Sequence, residues 1–284
     1  MLAPVDYLAI GHVTHDVLPD ASHVVGGTVS YAALTAAALR RTVGVLTSAG
    51  EDFDFSVFNG SVTIACDRAP HTTTFTNTYV NGSRHQQVHG LANPLGCDSV
   101  PDEWLQPSVV HIGPVIEECD HALITLFDEG TFVGVTPQGW MRSQNGHGRV
   151  LPHAWHVRAS LLERVSAVVF SLDDIQGDWQ VATQLARQTR LLVVTMGRRG
   201  GVVFADGKPT PFPALLVDEA DPTGAGDIFA AAFFSTVASG IRPIDAANFA
   251  ACLASRSVAR EGPDSVPGDE DVVVCEGLLI GKGL

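Results

Sequence analysis

The segment Asp221-Pro-Thr-Gly-Ala-Gly-Asp227, followed by the apolar and helix-compatible run 228–234, places a carboxylate directly after three small residues. Gly224, Ala225 and Gly226 would form a turn that opens a helix. Small residues there let backbone N–H groups approach a ligand, and a helix N-terminus carries partial positive charge, so the turn suits an oxyanion or a phosphate. Asp227, in the first turn of that helix, is positioned to accept a proton from an attacking hydroxyl. The plainer alternative is that Asp221 or Thr223 caps the helix and that Gly-Ala-Gly permits close packing. Two other phosphate-binding schemes fail on the residues themselves. A P-loop requires Gly-x-x-x-x-Gly-Lys-Ser/Thr, which this sequence lacks. A dinucleotide fold requires a third glycine soon after the first strand, and Asp245, at about the distance of its acidic residue, begins a helix.

The elements that must position this turn follow from hydrophobic patterning. Short runs rich in Val, Ile and Leu at 5–10, 43–46, 109–112, 132–135, 167–170 and 191–195 predict buried strands. Helical patterns at 29–40, 119–129, 179–188, 227–238 and 244–260 lie between and after them. The alternation predicts an α/β fold, a doubly wound and mostly parallel sheet with helices on both faces. One region departs from it. Residues 72–80, Asn81-Gly82 and 83–89 predict a β-hairpin, serving as an edge decoration or as a flap over the sheet's C-terminal edge. Residues 139–148 predict a surface loop. With no repeat or long linker, a single domain over 1–284 with a small β lid is the simplest organisation.

Asp221–Asp227 resembles the C-terminal signature of the ribokinase family of sugar and nucleoside kinases, also called the phosphofructokinase-B family. Gly26-Gly27 resembles its N-terminal signature, Thr195-Met-Gly197-Arg-Arg-Gly200-Gly its nucleotide loop, and 246–262 its late helix and the glycine after it. These markers occur in the family's order and span nearly the whole chain.

The resemblance implies an ATP-dependent kinase with Asp227 as base and the Gly224, Ala225 and Gly226 amides as an anion hole. It implies acceptor binding by Asp16, Gly26 and Gly27, and contact with ATP by Thr195, Gly197, Gly200 and Asn248. The family's Asn-x-x-Glu, which organises Mg²⁺ through water, aligns with Ser171-Leu-Asp-Asp174, so Asp174 keeps a carboxylate and Ser171 replaces an amide. Asp221 and 262–265 resemble loops that hold a monovalent cation in some members.

Other positions depart from the sugar-kinase pattern. Tyr31 stands where an Asn usually contacts substrate. The segment 11–28 leaves little room for lid strands, so the hairpin at about 72–89 is expected to supply most of the cover. Arg84, Gln138 and Arg142 are candidate acceptor contacts, with solvated or loop-ordering roles as the alternative. Together with Gly26–Tyr31 and Thr136–Arg142, these features are similar to inositol-kinase-like members. The expected acceptor is a small polyol, inositol or sugar; the alternatives are a nucleoside acceptor, or a catalytically idle binding protein on the same fold.

Composition narrows the partners. The balance of 17 Lys+Arg against 31 Asp+Glu gives a net charge of -14, which disfavours nucleic acid and anionic membranes. The apolar runs are too short to span a bilayer, and the first ten residues do not read as a signal peptide. Five widely separated cysteines, an odd number, argue against a disulfide framework and for a reducing cytoplasm. Paired histidines at 12/15 and 153/156 lack a third clustered ligand, which argues against zinc. A monomer or homodimer is expected.

Overall fold

The computed structural model describes residues 2–80, 83–260 and 265–280. The chain begins with β1 (Tyr7–Ile10), β2 (Thr14–Val17), β3 (His23–Gly26), helix α1 (Thr28–Ala38), β4 (Val43–Ala49) and β5 (Val62–Arg68). It continues through β6 (Thr73–Val80), β7 (Ser83–Gly90), β8 (Val109–Ile112), β9 (Phe132–Val135), β10 (Arg142–Gln144) and β11 (Val150–Pro152). Next come α2 (Ala159–Leu162), β12 (Ala167–Ser171), α3 (Trp179–Ala186), β13 (Leu191–Thr195), β14 (Gly201–Ala205) and β15 (Lys208–Phe212). Helices α4 (Ala225–Ala238), α5 (Pro243–Ser257) and α6 (Asp269–Ile280) complete the described chain.

Nine strands form one sheet in the order β15-β14-β13-β12-β9-β8-β1-β4-β5. Pairing is parallel from β5 to β13 and antiparallel for β14 and β15. Strands buried on both faces need apolar side chains on both, which is why these runs lack polar alternation. In β1, Tyr7 and Ala9 pack into the core shared with α1, α4, α5 and α6. Leu8 and Ile10 point to the opposite core, which includes residues of α2 and α3. The chain runs outward from β1 through β4 and β5, then returns to β8 and proceeds the other way. The strand order therefore reverses between β1 and β8, where open α/β sheets leave a crevice beyond the strands' C-terminal ends.

Three expectations are corrected. The segment 11–28 does hold lid strands. β2 pairs antiparallel with β3 and parallel with β6, giving a four-stranded sheet β3-β2-β6-β7 rather than a lone hairpin. Two four-residue strands suffice because the connection is tight, with Leu18 and Ser22 backbones paired at 2.9 Å. Second, 119–129 forms only a 3₁₀ turn over His121–Thr125, its start capped by the Asp120 carboxylate accepting from Ala122 N at 2.8 Å. The β-branched pair Ile124-Thr125 weakens a full α-helix there. Third, Cys252 of α5 and Cys275 of α6 form a disulfide across buried helix faces. The odd cysteine count argued against a framework, but a single bridge needs only two sulfurs brought together by helix packing. The Asn81-Gly82 turn lies outside the described residues. Among the described residues, no helix is long and apolar enough to cross a membrane.

Candidate active site

The crevice between β1 and β8 is closed at its base by two glycines. Gly11 follows β1 and Gly113 follows β8, and Gly113 N donates to Ile10 O at 2.8 Å. Helices α1 and α4 both start here and pack along the same face of the sheet. Gly224 holds the α4 N-cap in a left-handed conformation with φ 77°. A Cβ at that position would run into the Tyr31 ring, so the turn is set by close packing between the two helices. The Gly27 backbone, at φ 89°, crosses just as tightly over His12 O.

Asp227 stands in the first turn of α4, partly buried, with its carboxylate accepting a hydrogen bond from the Thr28 side chain. Burial pushes its pKa up to about 6; the Thr28 bond and the Arg142 charge pull it down, while Asp174 adds to the rise. A carboxyl tuned to that value is ionised at neutral pH yet more basic than an ordinary Asp. The amides of Gly226 and Asp227 head the helix, where no preceding turn supplies carbonyl partners. Open space surrounds the position a Gly226 side chain would take, as an anion cradle needs. The Ala225 amide is turned to Pro222 O at 3.2 Å, which draws it away from a ligand.

On the acceptor side, Asp16 lies in β2 with its carboxyl over Gly26, where an added Cβ would fall 3.2 Å from Asp16 Cγ. Asp16 thus packs against Gly26, and the charges of Asp16 and Asp227 both act on Tyr31. Tyr31 itself is turned inward. Its ring lies buried under Gly224, with its hydroxyl 3.3 Å from Val25 O, so it buttresses the turn from below. Burial, followed by the charges of Asp227, Asp221 and Asp16, holds its phenol well above the ordinary range. Arg142 Nε donates to Val115 O at 2.7 Å and Nη1 to Gln86 Oε1 at 2.9 Å, while its guanidinium lies 5.6 Å from the Phe75 ring. It thereby links the lid strands to the floor near Asp227. The Arg84 side chain lies outside the described residues.

Gln138 reaches Asp174 rather than open space, with Nε2 donating to Oδ1 at 2.9 Å. The other Asp174 oxygen accepts from Ser171 N at 2.8 Å. Ser171 Oγ accepts from Asp173 N at 3.1 Å, so this hydroxyl orders the turn after β12. Thr195 ends β13 beside it, and the loop Gly197–Arg199 is closed by Met196 N donating to Gly200 O at 2.7 Å. Asn248 folds back on α5, its Nδ2 donating to Ile244 O at 2.8 Å. Asp221 Oδ1 accepts from Thr223 N at 2.9 Å, and its own N donates to Val258 O, tying this loop to the end of α5. Of the monovalent-cation loop, residues 262–264 lie outside the described residues.

These donors and acceptors suit magnesium held indirectly. Among the described residues, no three His, Cys, Asp or Glu side chains converge as a metal cage. Mg²⁺ ordinarily binds through one or two carboxylates, waters and substrate phosphates, and Asp174, oriented by two donors, meets that requirement.

Sequence reasoning missed two devices. Glu118, buried, accepts from His12 N at 3.1 Å, Val115 N at 2.8 Å and Ile116 N at 2.7 Å, fastening the loops after β1 and β8 together. Two of its partners are backbone amides of its own turn and the third is His12 N, 106 positions away, so no residue pattern announced it. His12 bridges Thr73 Oγ1 at 2.7 Å and Asn93 O at 2.8 Å, anchoring the start of β6. The Asn93 carbonyl only accepts, so His12 Nε2 is the donor in that bond.

Comparison with known proteins identifies the family and the fold. The pfkB family carbohydrate kinase profile matches residues 108–269. A cytidine kinase of Thermococcus kodakarensis is 29% identical over 259 residues, covering 84% of this chain and 91% of that protein. An inositol 3-kinase of Oryza sativa subsp. japonica is 28% identical over 289 residues, covering 92% of this chain and 70% of its own length. A pyrophosphate-dependent kinase in the ribokinase family, solved with a pyrophosphate analog and myo-inositol, superposes with a TM-score of 0.79 at 22% identity. That superposition covers 94% of this chain and 99% of the other. The fold is that of the ribokinase-family kinases, and the chain belongs to the pfkB family of carbohydrate kinases.

Proposed function

We propose that this chain transfers the γ-phosphoryl group of ATP to a hydroxyl of a small polyol, inositol or sugar. The observation that carries the reading is Asp227. It is a carboxylate tuned to a pKa of about 6, at a helix N-terminus, in the crevice where the strand order reverses. In this reaction the Asp227 carboxylate takes the proton of the attacking hydroxyl. The Gly226 amide, with Gly224, meets the charge that develops on the transferred phosphoryl oxygens. Ala225 contributes through its small size, since its amide is engaged within the turn. Asp16 accepts from acceptor hydroxyls, Gly26 and Gly27 let the backbone approach them, and Arg142 braces the lid above. Thr195, Gly197, Gly200 and Asn248 line the nucleotide, and Ser171 shapes the neighbouring turn. Asp174, with Gln138 holding it, would retain Mg²⁺ through water; the ion supplies charge neutralisation of the donor phosphates. The domain is read as one unit over 1–284, with the lid as its appendage.

A second reading, a nucleoside acceptor, is favoured by the cytidine kinase relative. Pyrophosphate is the competing donor, because a structural neighbour uses it. One assay separates these readings: phosphorylated product is followed by mass spectrometry over myo-inositol, ribose, fructose, cytidine and adenosine, each with ATP or pyrophosphate. Turnover of an inositol or sugar with ATP supports the proposal. Turnover confined to nucleosides or to pyrophosphate replaces the corresponding half of it, and no turnover with any pair returns the chain to an idle binding protein.

A further inference from the structure

We infer that Glu118 is a positioning residue for the acceptor: its buried carboxylate pins the roots of the lid to the turn after β8, and so sets where the lid holds Asp16. The inference rests on the reading of the lid and Asp16 as the acceptor site. Three chain segments meet at Glu118, which is 6% exposed. Oε1 accepts from His12 N at 3.1 Å and Val115 N at 2.8 Å, and Oε2 accepts from Val115 N at 2.9 Å and Ile116 N at 2.7 Å. Its own carbonyl accepts from Leu95 N at 2.8 Å, and Asp120 N donates to Leu95 O at 2.9 Å. His12 lies on the chain entering β2, and Leu95 on the chain leaving β7. The side chain therefore grips the first excursion into the lid, and the main chain grips the second.

The underside of the lid rests on the same turn. Phe75 of β6 and Val88 of β7 form a small buried cluster with Val115 and Ile116, the two residues whose amides Glu118 holds. The Arg142 guanidinium adds a strut from Val115 O to Gln86 of β7. At the root of β2, Val13 N donates to Thr47 Oγ1 at 2.9 Å, and the His12 ring bridges Thr73 and Asn93. From there β2 pairs with β6 in register, which sets Asp16 beside Phe75. Neighbours in a ladder point to the same face, so Asp16 shares the lid face that packs on Val115 and Ile116. A shift of this turn would carry the Asp16 carboxylate with it. Three N–H donors converge here from two segments, and meeting all of them takes two acceptor oxygens and no hydrogen, which a carboxylate provides. A glutamine of the same shape would turn an NH2 toward these donors and leave a buried N–H unpaired.

The test compares Glu118→Gln with Leu162→Ala, a change in the buried face of α2 that lowers packing away from the lid. Kinetics use the acceptor and donor that the wild-type chain turns over fastest in the panel above, with myo-inositol and ATP as the expected pair. Glu118→Gln should raise the acceptor KM about thirtyfold and lower kcat about threefold, with the donor KM within about twofold of wild type. Native-state hydrogen exchange should quicken about tenfold at the amides of β2 and β6 and stay unchanged in β12 and β13. Leu162→Ala should lower the melting temperature without separating the two KM values. If Glu118→Gln does not fold, Glu118→Asp, which keeps the charge and shortens the reach by a methylene, makes the same comparison. An acceptor KM that stays at the wild-type value, or that rises only in step with the donor KM, overturns the inference and leaves the proposed reaction standing. Unchanged exchange in β2 and β6 overturns the pinning of the lid whatever the kinetics show. Absence of wild-type turnover with every acceptor overturns the proposed function and the acceptor role of Glu118 with it.

Discussion

The two halves of the cleft are built differently. Around the proposed acceptor and base positions, side chains are locked by short bonds to their partners: Glu118 to three amides, and His12 to Thr73 and Asn93. Around the proposed donor position, the loop Gly197–Arg199 is exposed and shaped by backbone turns, and Asn248 is bonded to its own helix. Transition-state stabilisation depends on groups already aimed before reaction, whereas ground-state binding of a flexible phosphate chain tolerates adjustment. Under the proposed function, the contrast would put the chemistry in the acceptor half and leave the donor half to supply affinity.

The largest expected effect tests the first half of that contrast. Asp227→Asn should lower kcat by about a thousandfold or more, with nucleotide affinity changed only a few-fold. The same variant should be more stable at neutral pH. With a folded pKa of about 6 against 3.8, the native state binds a proton more tightly than the unfolded chain. Stability therefore falls as pH rises from about 4 through 6, and the full penalty is present at pH 7. Removing the charge should restore about 3 kcal/mol at pH 7.5 and little at pH 4, read as a pH-dependent difference in melting temperature. An equal difference at both pH values would mean the carboxyl is not held in a desolvated site. Wild-type kcat/KM should rise with pH to a plateau above about 6 by the same titration.

The next effect tests whether packing, rather than sequence motif alone, makes the anion cradle. Gly224→Ala forces a side chain into a left-handed position and into the Tyr31 ring. A drop of roughly a hundredfold in kcat and about 1–3 kcal/mol in stability is expected. The paired variant Gly224→Ala/Tyr31→Leu should recover part of the stability, because a smaller and more flexible side chain yields. No recovery would separate the turn from the α1–α4 contact.

Much of this arrangement was legible in the residues. Parallel strands buried on both faces must be apolar throughout, so the central strands and the doubly wound architecture were readable from hydrophobic patterning and its alternation with helices. Asp227, Asp16 and the paired glycines stood out through the family resemblance, because a Gly-Ala-Gly turn or a loop Asp taken alone reads as readily as a cap or a solvated residue. Tyr31 shows the limit. Its place in the motif suggested substrate contact, but side-chain direction is decided by the packing of α1 on α4, which local spacing does not encode. The Glu118 bond to His12 N and the Tyr7 hydroxyl beside His111 Nδ1 escaped notice for the same reason: the sheet brings together groups 106 and 104 positions apart. The antiparallel edge β14–β15 was missed because Pro209 and Pro211 argue against a strand. An edge tolerates them, since one side of β15 needs no ladder partner.

A smaller effect is expected at the boundary between the halves. Asp174 is oriented by Gln138 and Ser171 N, so Asp174→Asn should keep its place while losing its charge. The Mg²⁺ concentration for half-maximal rate should rise about tenfold, with the acceptor KM unchanged. Gln138→Leu, which leaves the charge and removes its orienting donor, should fall between Asp174→Asn and wild type. If Gln138→Leu instead raises the acceptor KM alone, Gln138 belongs to the acceptor half and not to the metal.

The smallest effect bears on the donor half directly. Arg198 and Arg199 are exposed on the loop after β13. In water, such charges attract a polyphosphate weakly and are screened by salt. Arg198→Ala/Arg199→Ala should raise the KM for the phosphoryl donor about threefold at low ionic strength, leave kcat unchanged, and match wild type at about 0.5 M salt, where the Debye length is only about 4 Å. A salt-independent loss in kcat of tenfold or more would mean that one of these guanidinium groups grips the transferring phosphate in a dry, preorganised contact. The donor half would then stabilise the transition state as directly as the acceptor half does, and the division of labour drawn from their different construction would fail.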